Sequence, residues 1–229
     1  MWDGRDLPSQ IRLPLEEQSE LNINWDIALA TLSQAAETRN FLSSCGGERI
    51  SKSLVILALA SYVRSLVTLD SPFDRYFYRN EDGEISDQAK EGLKLFIGKG
   101  GCSSCHQISG SFASFTDYNF HSVGVGFVNG HYLDKGRFEV SHDESDEGAF
   151  KTPSLRNVSL RAPYMHDGSM PSVREVIEYY NRGADPRAEN LDRKIKPLDL
   201  SADEITELIS FLESLTSPIA TYRPSSKTN

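Results

Sequence analysis

Five consecutive residues, Cys102-Ser103-Ser104-Cys105-His106, constrain this chain more than any other feature of it. Two thiols three residues apart lie on one helical turn and face the same way, and the histidine follows directly beneath them. That arrangement suits a porphyrin fixed by two thioethers, with its iron ligated by the adjoining imidazole. A redox dithiol competes with this reading, but it is expected in a βαβ setting, whereas here a helical pattern precedes the motif and a glycine-rich stretch follows it. A zinc site would call for two more Cys or His at compact spacing, and His121, His131, His142 and His166 are scattered. The irregular stretch after the motif favours the cofactor, because a loop that long needs something to pack around.

The rest of the pattern is helical. Ile27, Leu29, Leu32 and Ala35 suggest an amphipathic helix from Asn24 to about Asn40, and residues 50–69 suggest a more buried one. The segment SPFDRYFYRNEDGE, with its proline and turn cluster, reads as a connection between two units. Ser86 is a plausible N-cap for a helix that places Ala89, Leu93 and Phe96 on one face before Gly98 ends it. Residues 107–160 are expected to be mostly loop. Pro171 and Ser172 open a short helix through Tyr180 that closes at Gly183, and Ser201 with Glu204 forms a capping box for a last one. The expectation is an all-α chain: a helical unit over residues 1–80, then a helical domain over residues 81–229 with long loops wrapping its cofactor.

Composition narrows the partners. A net charge of -9 disfavours nucleic acid, and no apolar run reaches the length of a membrane span. Three cysteines do not make a disulfide framework, and Cys45 reads as a lone thiol without a role.

The run GLKLFIGKGGCSSCHQISG, followed by FTDYNFHSVGV, DKGRFEVS and FKTPSLRNVSLRAPYMHDGSMPSVREVIEYYNRG, resembles the C-terminal haem domain of the bacterial di-haem cytochrome c peroxidase and MauG family. Upstream, MWDGR and SLVILALASYVRSLVTLDSPFDRY match as well, so the likeness runs from Trp2 to about Thr216. The resemblance implies two cytochrome c-like helical domains, each with a haem, and a calcium ion between them. Only one CxxCH motif is present, so the first 80 residues are expected to be the remnant of a domain whose haem motif lies upstream, and the chain looks truncated at its start. It also implies an oxidoreductase that couples electron transfer to hydrogen peroxide reduction, in the periplasm. This chain would supply the second haem, with a small cytochrome c or cupredoxin-like donor or a substrate protein as partner. A monohaem electron carrier and an inactive fragment are the alternatives.

The resemblance further assigns roles. Trp2 is similar to the tryptophan between the two haems, and Glu20 to a distal carboxylate that serves as acid and base on peroxide. Tyr180 stands fourteen residues beyond His166, where peroxidases of the family carry an axial methionine and MauG-like members a tyrosine. An anionic phenolate there would lower the haem potential, while a thioether from Met165 or Met170 would raise it. Packing of Tyr179 and Tyr180 against the ring edge is the plainer reading. His166 resembles a family histidine close to the haem, with a hydrogen-bonding role. Arg156 is a candidate partner for a haem propionate, with an ordinary salt bridge as the alternative. Calcium would take backbone carbonyls of Arg161-Ala162-Pro163 and an asparagine upstream of this chain.

Overall fold

The computed structural model describes residues 6–44, 46–47 and 49–221, so Trp2 and Cys45 lie outside the described residues. Contacts divide the chain into two units. The first comprises described residues 6–67 and 220–221, and the second is Thr68–Ile219.

The first unit is built from α1 (Leu7–Glu16), α2 (Trp25–Gln34), α3 (Ala36–Ser44) and α4 (Lys52–Ser65). Asp6 caps α1 by accepting from the Ser9 N–H at 2.8 Å. The single helix expected over residues 24–40 is two, because Ala35 adopts an extended conformation and its N–H turns back to the Leu32 carbonyl. Helix α4 buries Ile56 and Ala60 but leaves Leu57 and Tyr62 exposed, so it is less enclosed than its apolar run suggested. Strands β1 (Leu66–Val67) and β6 (Ala220–Thr221) pair antiparallel.

The second unit begins earlier than residue 81. The proline-bearing segment expected as a connection forms α5 (Pro72–Arg79), closed by a capping box between Ser71 and Asp74. Its Phe73 is fully buried in the core with Phe96, Phe115 and Phe211. An apolar anchor of that size binds the helix to this unit, so contacts divide the chain after Val67. Helix α6 (Asp87–Ile97) starts at its Ser86 cap and stops at Gly98, as its sequence indicates. It crosses α9 (Ala202–Glu213), which opens with the Ser201–Glu204 capping box. Gly92 sets that crossing: a Cβ there would stand 2.0 Å from the Glu207 carbonyl oxygen, so only glycine lets the backbones meet. Phe96 and Phe211 then pack with ring centroids 4.9 Å apart.

Between these helices the chain forms two small antiparallel ladders. Strand β2 (Phe120–Ser122) pairs with β5 (Ala149–Lys151), and β3 (Phe127–Val128) with β4 (His131–Tyr132). A short α7 (Phe138–Ser141) lies between β4 and β5, and α8 (Val173–Asn181) is capped by Ser172. Helix is the main regular structure, and the strands span two or three residues each.

Candidate functional site

The chain turns sharply out of α6. Gly101 takes φ +60, and Cys102–Ser104 make a single 3-10 turn in which the His106 N–H donates to the Cys102 carbonyl at 2.9 Å. This turn holds Cys102, Cys105 and His106 in one register, with both cysteines as free thiols. The Cys102 thiol packs against the aromatic core, and burial pushes it up to about 12. Burial also raises the Cys105 thiol, more modestly.

His106 is oriented by the backbone. Its Nδ1–H donates to the Phe115 carbonyl at 2.9 Å, which leaves the Nε2 lone pair free to bind a metal. Burial holds its pKa below the usual value, so the imidazole is neutral as a ligand must be. Phe115 presents that carbonyl from φ +52, a conformation unfavourable for a bulky residue. Its fully buried ring and the bond from its N–H to the Gln107 carbonyl hold it there.

Neighbouring tyrosines on α8 have separate fates. Tyr179 donates its hydroxyl to the Val123 carbonyl at 2.8 Å, so it is spent on packing. The Tyr180 hydroxyl makes no hydrogen bond among the described residues. Burial, followed by the nearness of Cys102, Tyr179 and Cys105, pushes its phenol well above the ordinary range. The Tyr180 side chain is half-buried near both thiols, and a hydroxyl there without a protein partner is open to a ligand. Two free thiols, an imidazole with an open Nε2 and this hydroxyl together fit a c-type haem.

The remaining candidates sit elsewhere. Met165 and Met170 pack with Val125, Tyr179 and Ala184 in a second, smaller apolar cluster. His166 is exposed and stacks on Phe150, with centroids 3.8 Å apart and planes at 10°. Arg156 corrects its expected role: the salt bridge is what forms. Its guanidinium donates to both Asp74 carboxylate oxygens at 2.8 Å, to the Ala113 carbonyl at 2.9 Å and to the Thr68 carbonyl at 2.7 Å. Four donor contacts to protein leave little of the fork for a propionate. Glu20 is exposed in the turn that follows α1, with its N–H on the Glu17 carbonyl. Arg161, Ala162 and Pro163 are exposed as well.

One group had no assigned task in the sequence. His121 lies between two carboxylates, its Nδ1 2.5 Å from Asp192 and its Nε2 2.8 Å from Asp117. Asp117 is held down to about 2, since burial that would raise it is outweighed by His121, Thr152 and the Asn119 N–H. Cys105, Asp117 and His121 converge closely enough to hold a metal ion. If the Cys105 sulfur is spent on a porphyrin vinyl group, this cluster instead forms a polar rim at that edge of the site. The only sequence signal for it is the i, i+4 spacing of Asp117 and His121; Asp192 is 71 residues away.

Comparison with known proteins agrees with this geometry. Residues 1–82 match the family model described as di-haem cytochrome c peroxidase, and residues 89–216 match that for cytochrome c. The methylamine utilization protein MauG of Methylorubrum extorquens is 36% identical over 218 residues, covering 93% of this chain and 60% of that protein. The cytochrome c551 peroxidase of Pseudomonas aeruginosa is 31% identical over 222 residues, again 93% and 60%. A crystal structure of a MauG-like protein associated with microbial copper homeostasis superposes with a TM-score of 0.81 at 27% identity, covering 92% of this chain and 68% of that one. The chain thus spans about three fifths of the length of these curated relatives.

Proposed function

Because this chain belongs to the cytochrome c family and its first 82 residues match the di-haem cytochrome c peroxidase model, we propose that it carries one haem c of a peroxide-linked oxidoreductase. Cys102 and Cys105 would tie the haem covalently, His106 would ligate its iron through Nε2, and Tyr180 would be a second protein ligand. The bound group supplies one-electron chemistry. The observation that carries this reading is the His106 Nδ1–H bond to the Phe115 carbonyl, which leaves Nε2 as the only ring nitrogen able to ligate.

The chain's own residues do the positioning. Phe115 holds the imidazole in one tautomer, the Cys102–Ser104 turn holds the thiols, and the core around Phe96 and Phe211 keeps water from the Cys102 side. As a ligand Tyr180 would favour the oxidised state, because an anionic oxygen stabilises ferric iron more than a thioether does. Were His106 and Tyr180 both to hold the iron, this haem would serve electron transfer and the chain by itself would be a poor peroxidase. Peroxide would react at a second haem, with Glu20 as acid and base there and Trp2 as an electron relay. A small redox protein or substrate protein is the proposed partner, and the periplasm the proposed compartment. Among the described residues no helix is long and apolar enough to cross a membrane.

The test is the optical and EPR spectrum of the haem-loaded ferric chain, for wild type and Tyr180→Phe. Haem that survives denaturation confirms thioether attachment, and a changed ligand set in the variant places Tyr180 on the iron. An unchanged spectrum with the absorption of methionine ligation near 695 nm would sink the tyrosine assignment, point to Met165 or Met170, and favour an electron carrier.

A further inference from the structure

A rigid basic turn stands beside the haem-attachment cysteine. Asp192, Arg193, Lys194 and Ile195 form a tight turn in which the Ile195 N–H donates to the Asp192 carbonyl at 2.8 Å, placing Arg193 and Lys194 at its tip. Its base is fastened three ways. The Asp192 N–H donates to the Ser122 carbonyl of β2 at 2.9 Å, and the Asp192 carboxylate binds both His121 and the Lys194 N–H. Leu191 and Ile195 pack on either side into the smaller apolar cluster. The Lys194 ammonium reaches the Ser104 carbonyl at 3.4 Å and the Cys105 sulfur at 3.8 Å.

Charge at this turn runs opposite to that of the whole molecule. The chain carries -9, yet Arg193, Lys194 and Lys196 are exposed and none makes an ion pair among the described residues. The acidic groups close by are mostly engaged: Asp192 by His121, Asp185 by Arg187, and Asp146, which shares a shallow groove with Arg193, by Arg137. Glu189 is exposed and makes no ion pair among the described residues. Three unpaired cations on a pinned turn lose little entropy when they meet an anionic surface.

We propose that the Arg193–Lys194 turn, with Lys196, is the docking surface for an acidic redox protein that exchanges electrons with this chain at the Cys105 edge of its haem. The proposal rests on the haem reading above and names the partner's charge. One electron passes per encounter: the reduced haem iron is oxidised by one unit, the partner's metal centre is reduced by one, and no bond or proton is exchanged. At physiological salt, charges more than about 8 Å from the contact are largely screened, so the local cations outweigh the distant acidic residues. Adjacency to Cys105 favours a redox protein over an anionic membrane, since a haem edge has no use for lipid.

The haem-loaded full chain is titrated with an acidic cupredoxin reconstituted with Zn²⁺, which binds without electron exchange, and the reduced chain is mixed with oxidised native cupredoxin in stopped-flow to follow electron transfer. Covalent haem and a ferric spectrum are recorded first, so failure of the haem reading shows before any partner is added. Binding should weaken about tenfold or more as salt rises from about 10 to about 200 mM. Arg193→Glu with Lys196→Glu should weaken it by about tenfold at low salt and flatten the salt dependence, with the ferric spectrum unchanged. Affinity that rises with salt, a double variant equal to wild type, preference for a basic cytochrome c, or equal loss of binding to phosphatidylserine vesicles as the main effect would each overturn the proposal.

Discussion

Replacing Arg156 with alanine separates a guanidinium that holds the fold from one that clamps a haem propionate. Arg156 and Asp74 side chains are 7% and 9% exposed, and they meet through two bonds of 2.8 Å. Removing one partner of such a pair costs about 3–5 kcal/mol, because the other charge stays buried without compensation. Asp74 retains two donors from Ser71, its N–H at 3.0 Å and its hydroxyl at 2.8 Å, which places Arg156→Ala near about 3 kcal/mol. Asp74→Ala removes the α5 capping box as well, adding about 1 kcal/mol to a similar loss. For a domain of this size each kcal/mol is about 2–4 °C, so Arg156→Ala should lower Tm by roughly 6–12 °C. Arg156→Met with Asp74→Leu removes both charges together and should cost less than either alanine. Thermal and urea melts of the haem-loaded chain, followed by far-UV circular dichroism beside a potentiometric titration, read both effects. If Arg156→Ala melts within about 2 °C of wild type while the haem midpoint moves, the ion-pair reasoning is refuted and the propionate role returns.

Other expectations follow from the same geometry. Gly92→Ala drives a methyl into the Glu207 carbonyl and Phe211 Cβ, and should cost at least about 1–3 kcal/mol in a urea melt; an unchanged midpoint would deny the close crossing of α6 and α9. Cys102→Ala with Cys105→Ala should abolish haem that persists through a denaturing gel, and persistence would place the attachment elsewhere. Asp117 is held at about 2 against roughly 3.9 in an unfolded chain. A depressed carboxyl stabilises the fold above the unfolded value and loses that contribution as pH falls through the folded one. Asp117→Asn should therefore be less stable than wild type at pH 7, with the gap closing between about pH 4 and pH 2; a gap independent of pH would refute this. Ser201→Ala should cost about 1 kcal/mol by removing the α9 cap, read in the same melts.

Local chemistry made several elements legible without coordinates. Ser86, Ser172 and Ser201 announce helix starts because their hydroxyls satisfy first-turn N–H groups wherever the chain goes, and Gly98 ends α6 for a similar short-range reason. Cys102, Cys105 and His106 are contiguous, so their joint role also needs no folding information. The break at Ala35 leaves no mark in the sequence because apolar periodicity continues through it. Helix α5 reads as a connection in the sequence because its proline and polar residues look like a turn; Phe73 makes it part of a core shared with Phe96, Phe115 and Phe211. Arg156 shows the limit most plainly: its sequence neighbours suit an anion partner of any kind, and only the fold brings Asp74, 82 positions earlier, to fill that place. His121 likewise gains its second carboxylate from Asp192, and Tyr180 parts from Tyr179 only because the Val123 carbonyl reaches one hydroxyl and not the other. Caps, turns and the CxxCH motif act over a few residues and so belong to the sequence by itself. Partners for buried charges and hydroxyls come from distant segments, and packing alone decides which of them arrive.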